Sequence, residues 1–503
     1  MRTVFVLFDS LNRHLLSPYG GHLIQTPNFE RLAKRSTRFD RHYAGSLPCM
    51  PARRDLLTGR LNFLHRSWGP MEPFDNAVPS LLAAKNVYSH LITDHCHYWE
   101  DGGSTYHTRY TSHEFIRGQE GDPWKALVRP DWLKIAPKYH ETQRVHPQGL
   151  SNYQRQYMIN RELVNDQTDF PSAQVFASGI EFLEQNSNAE DWFLQLETFD
   201  PHEPFFAPSR FRNAFPTDYK GPILDWPRYG RVEELPEECD ELRANYYATV
   251  AHCDELLGKL LDKFDEDNLW ENTALIVSTD HGFLLGEHDY WAKNRMCLYQ
   301  EIVHLPLFIA VPGQAPGVAD ELSQTSDIAG TILDLHKLER PPEMRCHSLL
   351  PLVKGGKSKR KAVIFGYFGG AINVTDGCCS YHRYPTEPES ADIYQYTLMP
   401  AHIRGFFLPE ELADAKLVEP LPFTKGMPVL KAPASNRSIV PGLSPIHLLE
   451  DETRLYDLAK DPGQQSPIQD SELEKKMIDS MRHEMAMADA PSEAYERLSL
   501  TPA

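Results

Sequence analysis

The stretch Ser46-Leu-Pro-Cys-Met-Pro-Ala-Arg-Arg-Asp-Leu-Leu-Thr-Gly-Arg60 decides how this 503-residue chain is read. Cys49 lies between Pro48 and Pro51, and Arg53 follows one helical turn later. Proline restricts the backbone beside the thiol. A helix opening just after Cys49 would aim N–H groups and the positive end of its dipole at whatever the side chain carries. Arg53 would add a permanently charged, planar donor on the same side. The residues read as a place where a reacting group meets an anion. The plainer alternative is a buried cysteine opening a core helix, since free cysteine is most often a small core hydrophobe.

Outward from this stretch, short apolar runs end in chemistry-bearing residues. Residues 4–8 (Val-Phe-Val-Leu-Phe) read as a buried parallel strand, with Asp9-Ser10 at its carboxyl end. Residues 88–93 read as a second strand and are followed by Asp94-His95-Cys96-His97. A third, residues 192–199, runs into Asp200-Pro-His202-Glu-Pro-Phe205, and a fourth, 273–279, into Asp280-His281-Gly282. Ligands of open α/β sheets bind at such strand ends. Asp9 is a metal-ligand candidate there, against the alternative of a helix cap. His95 and His97 suit an anion, a leaving group or a metal, and a structural role stays open for them. Residues 306–312 predict a further strand, and residues 172–185 a helix. Val250, Cys253, Leu257, Leu260 and Phe264 recur at helical spacing, which predicts a core-facing stripe. Residues 26–33 read as a capped helix with Pro27 in its first turn. Arg60, His65 and Arg66 form a basic group that is either solvated or lines the pocket.

Cys49-x-Pro51-x-Arg53 followed by Leu-Leu-Thr-Gly-Arg60 resembles the signature of type I sulfatases, members of the alkaline phosphatase superfamily. In that family the cysteine becomes formylglycine, whose hydrate is the nucleophile. Thr26-Pro-Asn-Phe-Glu-Arg-Leu-Ala, Asp280-His-Gly with Leu-Gly-Glu-His288 and Lys293, and Leu455-Tyr-Asp-Leu resemble further family segments in the right order. The resemblance implies a large, mixed, mostly parallel sheet flanked by helices, with a smaller C-terminal antiparallel sheet and a helix. It places a catalytic α/β domain at 1–360 and an α+β subdomain at 361–503. It assigns Asp9, Cys49, Asp280 and His281 to one divalent ion (Ca²⁺, Mn²⁺ or Mg²⁺). Arg53, His202, Lys293 and one or both of His95 and His97 fall to catalysis. The implied reaction is hydrolysis of a small-molecule or carbohydrate sulfate ester through a covalent sulfo-enzyme. A formylglycine-generating enzyme is the implied maturation partner. The chain departs from the common pattern at Ser10, where most members have a second aspartate, at Ala52, where they have serine, and in lacking a lysine before His97. Phosphonate monoester hydrolases of the same superfamily share such features and supply the alternative reading. A catalytically dead relative that only binds is a third.

Composition sets the outer bounds. There are 51 basic and 70 acidic residues, a net charge of −19, which excludes nucleic acid as a partner because phosphate binding needs a basic footprint. An anionic small molecule remains compatible, since a local cationic pocket can sit in an acidic protein. Eight cysteines are scattered without zinc or disulfide spacing. The opening apolar run is too short for a signal peptide or a membrane span, so a cytoplasmic enzyme without membrane partner is the expectation. A homo-oligomer is left open.

Overall fold

The computed structural model describes residues 1–143, 152–164, 167–386, 393–434 and 452–502. Its central feature is a nine-stranded sheet, built from β1 (Arg2–Phe8), β2 (Thr37–Tyr43), β3 (Tyr88–Thr93), β4 (Ser112–Phe115), β5 (Trp192–Thr198), β6 (Thr273–Thr279), β7 (His304–Leu305), β8 (Leu307–Ala310) and β9 (Gly317–Gln324). The order is β7-β2-β8-β6-β1-β5-β3-β4, with β9 also paired to β2. Strands β6, β1, β5, β3 and β4 run parallel, whereas β8, predicted from residues 306–312, lies antiparallel to β6 and makes the sheet mixed.

Apolar residues on both sides of each central strand dictate a sheet covered on both faces. Val4, Val6 and Phe8 point to one core with α1 (Pro27–Ala33), α3 (Pro171–Gln185) and α4 (Pro236–Glu266); Phe5 and Leu7 point to the other with α2 (Cys49–Thr58) and α5 (Ser326–Leu335). The stripe Val250, Cys253, Leu257, Leu260 and Phe264 is fully buried on α4, as its spacing requires. Helix α1 has Pro27 in its first turn, but its cap is not local. The Thr26 hydroxyl is engaged with Ser17, and the carboxylate of Asp254 on α4 accepts the Asn28 and Phe29 N–H groups, both at 3.0 Å. A carboxylate at a helix N-terminus is the stronger electrostatic partner.

Strands β10 (Val363–Gly366), β11 (Ile372–Thr375), β12 (Cys379–Arg383) and β13 (Arg454–Asp457) form a separate antiparallel sheet. Helix α6 (Ser471–Met487) lays Met477, Met481 and Met485, one turn apart, onto Ile364, Val374 and Leu455 of that sheet. Among the described residues no helix is long and apolar enough to cross a membrane.

Candidate active site

Strand register builds the site. Phe8 pairs with Thr198 on one side and Thr279 on the other, and Thr93 pairs with Glu197. The carboxyl ends of β1, β6, β5 and β3 are therefore level. Asp9, Asp280-His281, Asp200 to His202 and Asp94-His95 leave the sheet at one edge. Helix α2 brings its first residue, Cys49, to the same edge, and all ten of its residues are buried. Asp55, one to two turns on, fixes the approach by accepting the Ser46 N–H at 2.7 Å and the Asn62 side-chain amide at 2.6 Å, so the segments before and after α2 are tied to it.

Two groups of potential ligand atoms converge there: Asp9, Cys49 and His95, and Asp9, Asp280 and His281, each within 4.8 Å of one another. The Nδ1–H of His281 donates to the Gly282 carbonyl at 2.9 Å, which leaves Nε2 as a lone pair without a hydrogen-bond partner. Asp9 Oδ2 likewise lacks a hydrogen-bond partner. Burial would raise the Asp9 pKa, but Arg53, Lys293, His281 and the Ser10 hydroxyl hold it at about 2. Burial lowers the pKa of His281, so its imidazole is neutral. The ionised Asp9, the side chain of Asp280 and a neutral imidazole, with buried lone pairs left unsatisfied, fit a hard-to-borderline divalent cation.

Arg53 is the electrostatic hub. Its guanidinium reaches Asp9 at 3.0 Å, Glu197 at 2.5 Å and Asp280 at 2.5 Å. Lys293 donates to the Ser10 hydroxyl at 2.9 Å, and that hydroxyl donates to Asp9 at 2.7 Å. Ser10 thus replaces a carboxylate with a hydroxyl relay between Lys293 and Asp9. Asp9, Asp280 and Glu197 surround Arg53, Lys293 stands 4.0 Å from Asp9, and burial raises the pKa of Glu197. Burial and the charge of Asp9 push the Cys49 thiol up, which makes the unmodified side chain a poor nucleophile.

The histidines separate by position. His95 is fully buried, its Nε2 lies 3.9 Å from Asp9, and neither ring nitrogen has a hydrogen-bond partner. Burial and the neighbouring Arg53 keep it neutral. His97 is also buried, its ring 5.0 Å from that of His95, with its Nδ1 2.9 Å from Glu100 and its Nε2 3.2 Å from Arg404. His202 donates from Nδ1 to the Glu203 carbonyl at 2.6 Å. Burial and then Lys293 lower its pKa. Of the basic group after α2, His65 contacts the Asp489 carbonyl, Arg66 bonds Gln395 and Ala401, and Arg60 reaches Asp489; these contacts lie away from Cys49.

Several neighbours were not singled out in the sequence. Glu197 anchors Arg53 and accepts from Tyr98 at 3.0 Å; its only signal was a carboxylate inside an otherwise buried strand. Glu203 accepts the Tyr229 hydroxyl, and Arg404 pairs with Glu100 at 3.2 Å. Outside His97, a cleft of ≈ 900 Å³ is lined by Trp99, Glu100, Arg117, Leu127, Arg155 and Arg404, drawn largely from the long loops after β3.

Comparison with known proteins agrees with this layout. The sulfatase family model matches residues 2–338, and the chain belongs to that family, within the alkaline phosphatase superfamily. Choline-sulfatase of Rhizobium meliloti (strain 1021) is 24% identical over 442 residues, covering 80% of this chain and 83% of that protein. A structure solved with its substrate D-glucosamine-2-N,6-O-disulfate superposes with a TM-score of 0.66 at 17% identity, covering 97% and 98% of the two chains. The phosphonate monoester hydrolase of Agrobacterium radiobacter gives a TM-score of 0.63 at 17% identity over 97% and 95%. The protein is accordingly a hydrolase acting on sulfate esters.

Proposed function

We propose that the protein hydrolyses a sulfate ester with a formylglycine made from Cys49 and one divalent metal held by Asp9, residue 49, Asp280 and His281. The observation that carries this reading is that Asp9 belongs to two buried groups of potential ligands, one with Cys49 and His95 and one with Asp280 and His281, drawn from distant segments. When bound, the metal would supply Lewis-acid charge for a substrate oxygen and lower the pKa of a nearby hydroxyl. The hydrated aldehyde would supply a hydroxyl nucleophile and, through its second hydroxyl, a way to release sulfate that a thiol lacks.

The chain's own residues divide the remaining work. Arg53 orients the side chain at 49 while balancing Asp9, Asp280 and Glu197. Lys293, whose carboxylate neighbours outweigh burial and raise its pKa, stays protonated and meets the leaving oxygen. His202 contacts the same oxygen through Nε2, its Nδ1 being committed to a carbonyl. His95, neutral and beside both Cys49 and Asp9, takes the proton of the second hydroxyl. His97 and Arg404 lie at the passage to the outer cleft, where the organic part of the substrate sits.

A second reading, phosphonate monoester hydrolysis, is favoured by Ser10 and by the phosphonate hydrolase likeness. Three measurements decide. The mass of the peptide around Cys49, expressed with and without a formylglycine-generating enzyme, should show –CH₂SH replaced by –CHO only with it. Chelation should abolish turnover and lower Tm, with Mn²⁺, Mg²⁺ or Ca²⁺ restoring both. kcat/KM on choline sulfate, glucosamine 6-sulfate and an aryl sulfate should exceed that on a phosphonate monoester; a preference of orders of magnitude for the phosphonate would overturn the sulfatase assignment.

A further inference from the structure

A strongly acidic chain keeps one concentrated cationic cavity away from Cys49. Helix α2 ends at Thr58, nine residues or roughly 13 Å along its axis from Cys49, and Gly59 and Arg60 then enter a cavity of ≈ 330 Å³. Its walls include Arg60, Arg340, Arg345, His347, Lys359 and Arg360, against one lining carboxylate among the described residues, Glu484 on α6.

Nearby carboxylates do not balance this set. Arg60 and Arg345 share one, Asp489, at 2.9 and 3.0 Å. Arg360 is matched by Asp327 at 2.7 and 2.5 Å. Arg340 bonds the Cys346 carbonyl, and both it and Lys359 are exposed. Arg60 is 8% exposed, rests over Phe423, and has a buried terminal nitrogen with no hydrogen-bond partner. Helix α5 starts at the same wall, with Gln324 and Ser326 lining the cavity; its first-turn Asp327 accepts the Gln324 and His347 N–H groups and pairs with Arg360. The guanidinium groups of Arg60 and Arg340 and the ammonium of Lys359 suit a tetrahedral oxyanion. His347, whose pKa is lowered by burial and by Arg360, reports the same cationic field. An adjoining cavity of ≈ 320 Å³ shares Arg340, His347 and Lys359 and adds Lys357, leaving room for a group attached to the anion.

We infer that this cavity is a second anion site, for sulfate or phosphate, free or as a monoester. The bound anion ties α6 and the segment around Arg345 to the end of α2. This does not rest on the chemistry at Cys49, and the two fail separately.

The test uses the full chain carrying Lys293→Ala, which removes the ammonium of the catalytic cluster. Equilibrium dialysis with radiolabelled sulfate should find one bound per chain, with phosphate competing and chloride at equal ionic strength not. Whichever oxyanion binds more tightly identifies the source. Adding Arg340→Gln and Lys359→Gln should weaken half-saturation by about tenfold or more and remove the sulfate-dependent rise in Tm. The same pair in the otherwise native chain should leave turnover unchanged. Equal displacement by chloride, or an affinity indifferent to Arg340→Gln/Lys359→Gln, overturns the inference.

Discussion

Single side chains at this edge are held by charge rather than by contact area. Lys293 has no aspartate directly against it: the nearest, Asp9, is 4.0 Å away, and Ser10 mediates. Its ammonium is therefore available to a leaving oxygen. Lys293→Ala should lower kcat by ~10²–10⁴. The loss should grow with the pKa of the leaving alcohol, because an activated aryl group needs little protonation. A series of aryl and alkyl sulfates compared in both proteins measures this. A loss of equal size for every leaving group would remove Lys293 from that role. The hydrogen-bonding of His281, with Nδ1 fixed by the Gly282 carbonyl, shows the same economy: one backbone bond decides which nitrogen faces the centre.

At the level of elements, α2 is the part on which geometry depends, and its far end controls it as much as its first turn. Gly59 closes the helix in a left-handed conformation, φ +61°, and donates to the Asp55 carbonyl. A Cβ there would stand 2.5 Å from Cys346 Sγ and 2.8 Å from Met344 Cε. Gly59→Ala should therefore cost about 1–3 kcal/mol of unfolding free energy, from the positive φ and the clash together. Urea denaturation gives the value, and a change below a few tenths of a kcal/mol would show that the helix end relaxes freely. Element types here followed from pattern. The strands around 4–8, 88–93, 192–199 and 273–279 and the helix at 172–185 were all legible, because burial on both faces and helical spacing leave marks in the sequence. The cap of α1 was not, because Asp254 reaches it from a helix more than two hundred residues away. The direction of β8 was not legible either, since an apolar run reads the same parallel or antiparallel.

For the whole molecule, stability should fall on the acid side of neutrality. Burial holds His42, His65, His252 and His382 neutral with pKa values of about 3, and His336 at about 4, against 6.5 when exposed. Each depressed imidazole gives stability that is present above pH 6.5 and lost as pH falls, because the unfolded chain then binds a proton that the folded one refuses. Burial works in the opposite direction at Asp55, raised to about 7, and at Asp200 and Asp254, raised to about 6, where the folded state binds the extra proton. These five imidazoles outnumber the three carboxyls, so unfolding free energy should fall as pH drops from about 6 to 4. Denaturant midpoints across that range check the sign; a midpoint that rises on acidification contradicts it.

The sequence by itself determined the family and the two-faced sheet, and it singled out a thiol between prolines and acids at strand ends, because these are local patterns. The places of Glu197, Glu203 and Arg404, and the different partners of His95 and His97, were decided only in three dimensions. Strand register and the packing of loops far apart in the chain set which charges face one another, and spacing along the backbone carries no trace of that.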